Sequence, residues 1–136
     1  MKYYLKLFFI TMLSFFLIDM LWLGIIAQSF YKKHLGYIMA QNPNWIAAII
    51  FYVIFIIGII VFVLLPGLKK DSLKSTLVHA CFFGVLTYAT YDLTNLATLE
   101  DWPVIVTIVD IIWGGVLTTL VCLSSFIIGR KFKRNA

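Results

Sequence analysis

A chain of 136 residues with 62% hydrophobic residues, 12% charged residues and a mean hydropathy of +1.00 cannot clothe itself in a polar surface; soluble domains carry about twice that share of charge. A soluble class is excluded on that ground. A nucleic-acid partner is excluded too, because the net charge of +5 is dispersed over segment ends and forms no continuous face.

The first apolar stretch, Leu7 to Ala27, follows Lys2 and Lys6 and so imitates a secretory leader. It runs for about 20 residues without a small-x-small cleavage site, and it contains Asp19. It therefore reads as an uncleaved first helix. The loop from 28 to 45 interleaves Phe30, Tyr31, Tyr37, Ile38 and Met39 with Lys32, Lys33 and His34. That pattern fits either a short amphipathic helix on the outer membrane surface or a cap over the bundle mouth.

A second stretch, Ile46 to Leu65, is preceded by Gln41-Asn42-Pro43-Asn44 and closed by Pro66-Gly67. The third, Thr76 to Thr98, is separated from the fourth, Pro103 to Ile128, by the tight turn Glu100-Asp101-Trp102-Pro103. The expectation is an all-α membrane protein. It has one domain, 1–136, built as a four-helix transmembrane bundle with helices near 7–27, 46–65, 76–98 and 103–128 and an outer loop at 28–45. Trp45 and Trp102 are expected in the outer aromatic belt, and Cys81 and Cys122 as buried thiols.

Orientation follows from the bases. Nine of them (Lys2, Lys6, Lys69, Lys70, Lys74, Arg130, Lys131, Lys133 and Arg134) fall at the termini and in the second loop, against Lys32 and Lys33 in the first. The third loop has Glu100 and Asp101 and no base. By the positive-inside rule both termini are cytoplasmic, giving an N-in/C-in, multi-pass protein of a bacterial inner membrane.

Within this frame Asp19, Asp92 and Asp110 each interrupt a different span. At 1.5 Å per residue they lie roughly 12, 9 and 10 Å from the outer ends, in one slab of the bilayer. An acid at that depth costs several kcal/mol and normally faces the bundle interior. Helical spacing sets Tyr88, Asp92 and Asn95 on one stripe with Tyr91 beside it, and Thr94 and Thr98 nearby. Trp22 and Trp113 each follow an aspartate by three residues, and Gly24, Gly84, Gly114 and Gly115 permit close helix approach. No base shares the layer, so protons or a cation must compensate the acids.

The segments Ile18-Asp19-Met20-Leu21-Trp22-Leu23-Gly24, Tyr88-Ala89-Thr90-Tyr91-Asp92-Leu93-Thr94-Asn95-Leu96-Ala97-Thr98 and Asp110-Ile111-Ile112-Trp113-Gly114 resemble the signatures of a bacterial inner-membrane family, domain of unknown function 2177. The resemblance spans nearly the whole chain. It implies a small polytopic membrane protein and supplies no reaction.

The leading functional expectation is a periplasm-side pocket of Asp19, Trp22, Tyr88, Tyr91, Asp92, Asn95, Asp110 and Trp113. It would bind a small or amphipathic ligand or a cation, as in a proton- or cation-coupled carrier. A membrane-embedded enzyme acting on lipid is the alternative, with a hard divalent cation on Asp19, Asp92 and Asp110. A structural or accessory protein locked by this network is the third reading. The expected partners are the lipid bilayer, a small-molecule or lipid ligand, and a second copy of the chain, because a bundle of this length is slim for a carrier.

Overall fold

A chain immersed in hydrocarbon must satisfy its backbone polar groups internally, which favours helices. Residues 2–134 are described by this computed structural model, and they contain helices and short connections with no strand among them. Helix α1 spans Lys2–Leu21 and runs into a wide turn at Trp22–Ile26. Helix α2, Gln28–Leu35, lies in the long loop. Helix α3, Trp45–Ile59, passes through a second wide turn, Ile60–Leu64, into α4, Leu65–Lys70. Helices α5, Leu73–Thr98, and α6, Val104–Arg134, complete the order.

Three continuous helical stretches, Lys2–Ile26, Trp45–Lys70 and Val104–Lys133, are long and apolar enough to cross a membrane. The fourth expected span, α5, has the length at 26 residues but carries Asp92, Asn95, His79 and five threonines, which keep it below the apolarity of the others.

The second span does not stop at Pro66 as expected. In the wide turn before it the Leu65 amide bonds back to the Ile60 carbonyl, five residues earlier. Pro66 then occupies the first turn of α4, where its missing N–H costs nothing. The helix ends instead at Asp71, whose φ of 50° is left-handed, a conformation that aspartate tolerates better than most residues. Asp71 pairs with Arg130 at 2.9 Å, and Lys133 donates to the Leu68 carbonyl at 3.0 Å, tying α4 to the end of α6.

Helices α5 and α6 form the most extensive pair, and α1 packs on α6. A Cβ on Gly84 would overlap the Gly114 carbonyl, and one on Gly114 would enter the Tyr88 ring, so glycine is what permits this approach. Gly24 has open space around it and plays no such part. The apolar core, including Leu7, Phe15, Ile56, Ile59, Leu64, Ala80, Leu117, Val121 and Phe126, occupies mainly the end of the bundle nearer the termini. At the other end the first half of α3 stands away from the bundle, with Trp45, Ile46, Ile49, Ile50, Phe51 and Ile54 all exposed.

Two side chains depart from expectation. Trp102 is buried, not spread in an aromatic belt, because its indole N–H donates to Thr107 Oγ1 at 3.1 Å inside the bundle. Cys81 faces outward while Cys122 is buried.

Candidate functional site

The end of the bundle away from the core contains two adjoining cavities, of about 250 and 330 Å³, that share Phe51, Tyr88 and Asp110. The smaller lies between α1 and α3 against α6. It is bounded by Phe15, Asp19, Trp22 and Leu23 from α1 and its wide turn, Tyr31 from α2, Tyr52 from α3, and Trp113 from α6. The larger opens between α3 and α5, with Phe55 on one wall and Thr87, Tyr91 and Asp92 on the other. Asp110, the seventh residue of α6, stands where they meet.

The side chain that organises the mouth of these cavities is Tyr31. Its hydroxyl donates to Asp110 Oδ1 at 2.5 Å and accepts from the Trp22 indole N–H at 3.1 Å. Burial raises the Tyr31 phenol above its ordinary range, helped by the Asp110 carboxyl beside it, so the hydroxyl keeps its proton as a donor. A second strap joins the same loop to the α5–α6 turn, where the Tyr37 hydroxyl donates to the Asp101 carbonyl at 2.6 Å. Of the two expectations for residues 28–45, the cap over the bundle mouth matches these contacts.

Trp22 and Trp113, from α1 and α6, stack face to face with centroids 4.3 Å apart and planes 9° apart. The wide turn carries Trp22 at its start, and the Ala27 amide closes that turn on the Trp22 carbonyl at 2.8 Å. Such turns recur at functional sites. The Trp113 indole nitrogen is buried without a hydrogen bond, with the Asp19 carboxyl as its neighbour.

Asp92 is the most exceptional residue. It is 0% exposed, no hydroxyl, amide or indole donates to its carboxyl, and its one hydrogen-bonding neighbour is the Asp110 carboxyl, with which it can share a proton. Buried polar groups are satisfied in the great majority of cases, so a buried acid left with only a second acid marks either stored strain or a place for something else.

Seven of the eight residues expected from the sequence border these cavities: Asp19, Trp22, Tyr88, Tyr91, Asp92, Asp110 and Trp113. Asn95 borders neither and is half-buried. Thr94 and Thr98 turn their hydroxyls back onto the carbonyls of Thr90 and Thr94 and lend the site no oxygens. Asp110 shares one cavity with Asp19 and the other with Asp92. Among the described residues no group of three or more His, Cys, Asp or Glu side chains is gathered closely enough to hold a metal ion. Sequence reasoning missed Tyr31, Tyr52, Phe51 and Phe55. The aromatic alternation of residues 28–45 was visible, but nothing in it indicated that Tyr31 reaches a residue 79 positions away.

The chain belongs to the family described as predicted membrane protein (DUF2177), whose model matches residues 4–127. The match takes in all three aspartates and the whole of both cavities. Among curated proteins and among solved structures, none matches the chain.

Proposed function

We propose that this chain is a four-span protein of the bacterial inner membrane, with both termini cytoplasmic and its paired cavities opening on the periplasmic half. In this reading α5 is the fourth span: Asp92 is buried, the outward-facing Thr90, Thr94 and Thr98 return their hydroxyls to carbonyls of their own helix, and its length of about 39 Å is sufficient to cross. The pocket binds a small or amphipathic ligand or a cation and works as a proton- or cation-coupled carrier, most naturally as a homodimer.

The observation that carries this reading is the wholly buried Asp92, which borders a cavity of about 330 Å³ and is paired with no donor but a second carboxyl. A network that served only to lock helices would satisfy its own hydrogen bonds. A group that must take up and release a charged species needs an unoccupied coordination position, and the absence of any base in the layer leaves that position to a proton or a cation. The apolar remainder of the larger cavity suits the uncharged part of a ligand.

Uptake into liposomes under an imposed proton gradient tests this directly. Wild type should accumulate at least one member of a panel of small and amphipathic cations, and Asp92→Asn and Asp110→Asn should reduce gradient-driven uptake by about tenfold or more. Coupled uptake that survives both substitutions for every substrate moved by the wild type would sink the carrier reading.

A further inference from the structure

Resting on that reading of the pocket, we propose that its ligand is an amphipathic primary or secondary ammonium ion, whose N–H groups part Asp92 from Asp110 and take the place of the proton they share, with its apolar body against Phe51 and Phe55. The sign of the charge comes from the layer itself, which holds Asp19, Asp92 and Asp110 and no lysine, arginine or histidine. A cation is the ligand such a site can pay to desolvate; an anion would add like charge in a medium of low dielectric.

The kind of cation follows from the hydrogen bonds that are missing. Both Asp92 oxygens are buried and receive no hydroxyl, amide or indole donor; their one partner is the Asp110 carboxyl, joined through a proton that an ammonium N–H can replace. An alkali ion would coordinate the oxygens directly, but it needs further ligands, and among the described residues no three metal-ligating side chains gather there. A quaternary ammonium answers the charge without an N–H, so the acceptors keep their desolvation cost. A protonated amine supplies two or three donors in a small volume. Asp110 is already engaged at Oδ1 by Tyr31, so its carboxyl is held in place as the second wall of the ammonium site.

The apolar body follows from the rest of the larger cavity, where Phe51, Phe55 and Tyr91 present ring surface next to Asp92. Phe51 is 49% exposed and Tyr91 60%, and they flank the cavity on α3 and α5 where the first half of α3 stands off. The opening is therefore sideways, between two helices, and an amphiphile dissolved in the outer leaflet reaches it without crossing the cap made by Tyr31 and Trp22.

The test uses the full chain in lipid nanodiscs, with empty nanodiscs as the blank, titrated calorimetrically at pH 7 with hexylammonium, hexyltrimethylammonium, hexanol and sodium. Hexylammonium is protonated at that pH, as a lysine side chain is. It should bind about tenfold or more tightly than hexanol or hexyltrimethylammonium, and sodium should not compete with it. Asp92→Asn should weaken hexylammonium by about tenfold and leave hexanol within about twofold. Thr87→Phe, which fills the cavity without touching a carboxyl, should weaken both. Equal affinity for hexylammonium and hexanol, both lost in Thr87→Phe, overturns the ammonium assignment and leaves the pocket reading standing. Equal affinity for the trimethyl compound, or competition by sodium, overturns it in favour of recognition by charge alone. If no probe binds wild type and Thr87→Phe is silent, the ammonium assignment and the amphiphile pocket fall together. A thermal melt of each variant separates loss of binding from loss of fold.

Discussion

Asp92 and Tyr31 contribute to the fold in opposite senses. A buried carboxyl whose one partner is a second carboxyl carries a desolvation cost of about 1–3 kcal/mol that no hydroxyl, amide or indole donor around it offsets. Asp92→Leu, close to isosteric and free of polar atoms, is therefore expected to raise thermal stability by about that amount while abolishing ligand binding. A melt monitored by circular dichroism checks it, and a lowered midpoint would mean that Asp92 is structural after all. Tyr31→Phe should do the reverse. It removes the hydroxyl from between Trp22 and Asp110, costs about 1–3 kcal/mol, and frees the cap, so that amide exchange over residues 28–35 accelerates in mass-spectrometric hydrogen exchange. The pH dependence of the cap has a defined sign. The Tyr31 phenol is raised in the folded protein above the unfolded value of 10.0, so its contribution is fully present below pH 10 and declines as pH rises beyond it. Protection of residues 28–35, corrected for intrinsic exchange rates, should show no contribution from Tyr31 titration between pH 6 and 9.

Helix contacts decide which glycines matter, and sequence pattern alone treats them alike. Gly84 and Gly24 both occur in apolar helical surroundings, yet a Cβ at Gly84 meets the backbone of α6 and one at Gly24 meets nothing. Gly84→Val should cost about 1–3 kcal/mol or block folding, because backbone cannot give way as a flexible side chain can. Gly24→Ala should change stability by less than about 0.5 kcal/mol, as surface substitutions do. Thermal midpoints of the two variants, measured side by side, check the contrast. The same distinction explains what could be read in advance. Apolar length and the acids inside it specify helices and a polar layer, because both follow from the cost of burying charge and unbonded backbone. Pro66 misled because a wide turn immediately before it changes which carbonyl its ring must avoid, and no local residue announces that turn. Trp102 misled because its partner, Thr107, lies on the far side of a proline that could equally have faced the indole outward. Tyr31 was beyond reach, since the same loop pattern also suits a helix lying on the membrane.

At the scale of the whole molecule the two ends differ in what holds them. The end bearing the termini has a dense apolar core closed by Asp71–Arg130 and by Lys133 on the Leu68 carbonyl. The far end is held by aromatic stacking, two tyrosine straps and the α5–α6 pair, with α3 leaning away. This asymmetry is useful to a carrier only if the loose end and the basic end lie on opposite sides of one membrane. That arrangement requires α5 to cross, although it is the most polar of the long helices. The requirement can be put to a single experiment. In a background with Cys81 and Cys122 replaced by alanine, cysteines introduced at Asn42, Leu99, Ser72 and Lys131 report the side on which each loop or end resides. Asn42 and Leu99 both lie in exposed connections beyond the acid layer, and Ser72 and Lys131 lie at the basic end. An impermeant maleimide applied to intact spheroplasts should label Asn42→Cys and Leu99→Cys, and should reach Ser72→Cys and Lys131→Cys only after permeabilisation. Were α5 to lie along one surface, Ser72→Cys and Leu99→Cys would label from the same side. The three apolar stretches would then place the two termini on opposite faces, and the nine-to-two bias of bases would no longer describe one cytoplasmic surface.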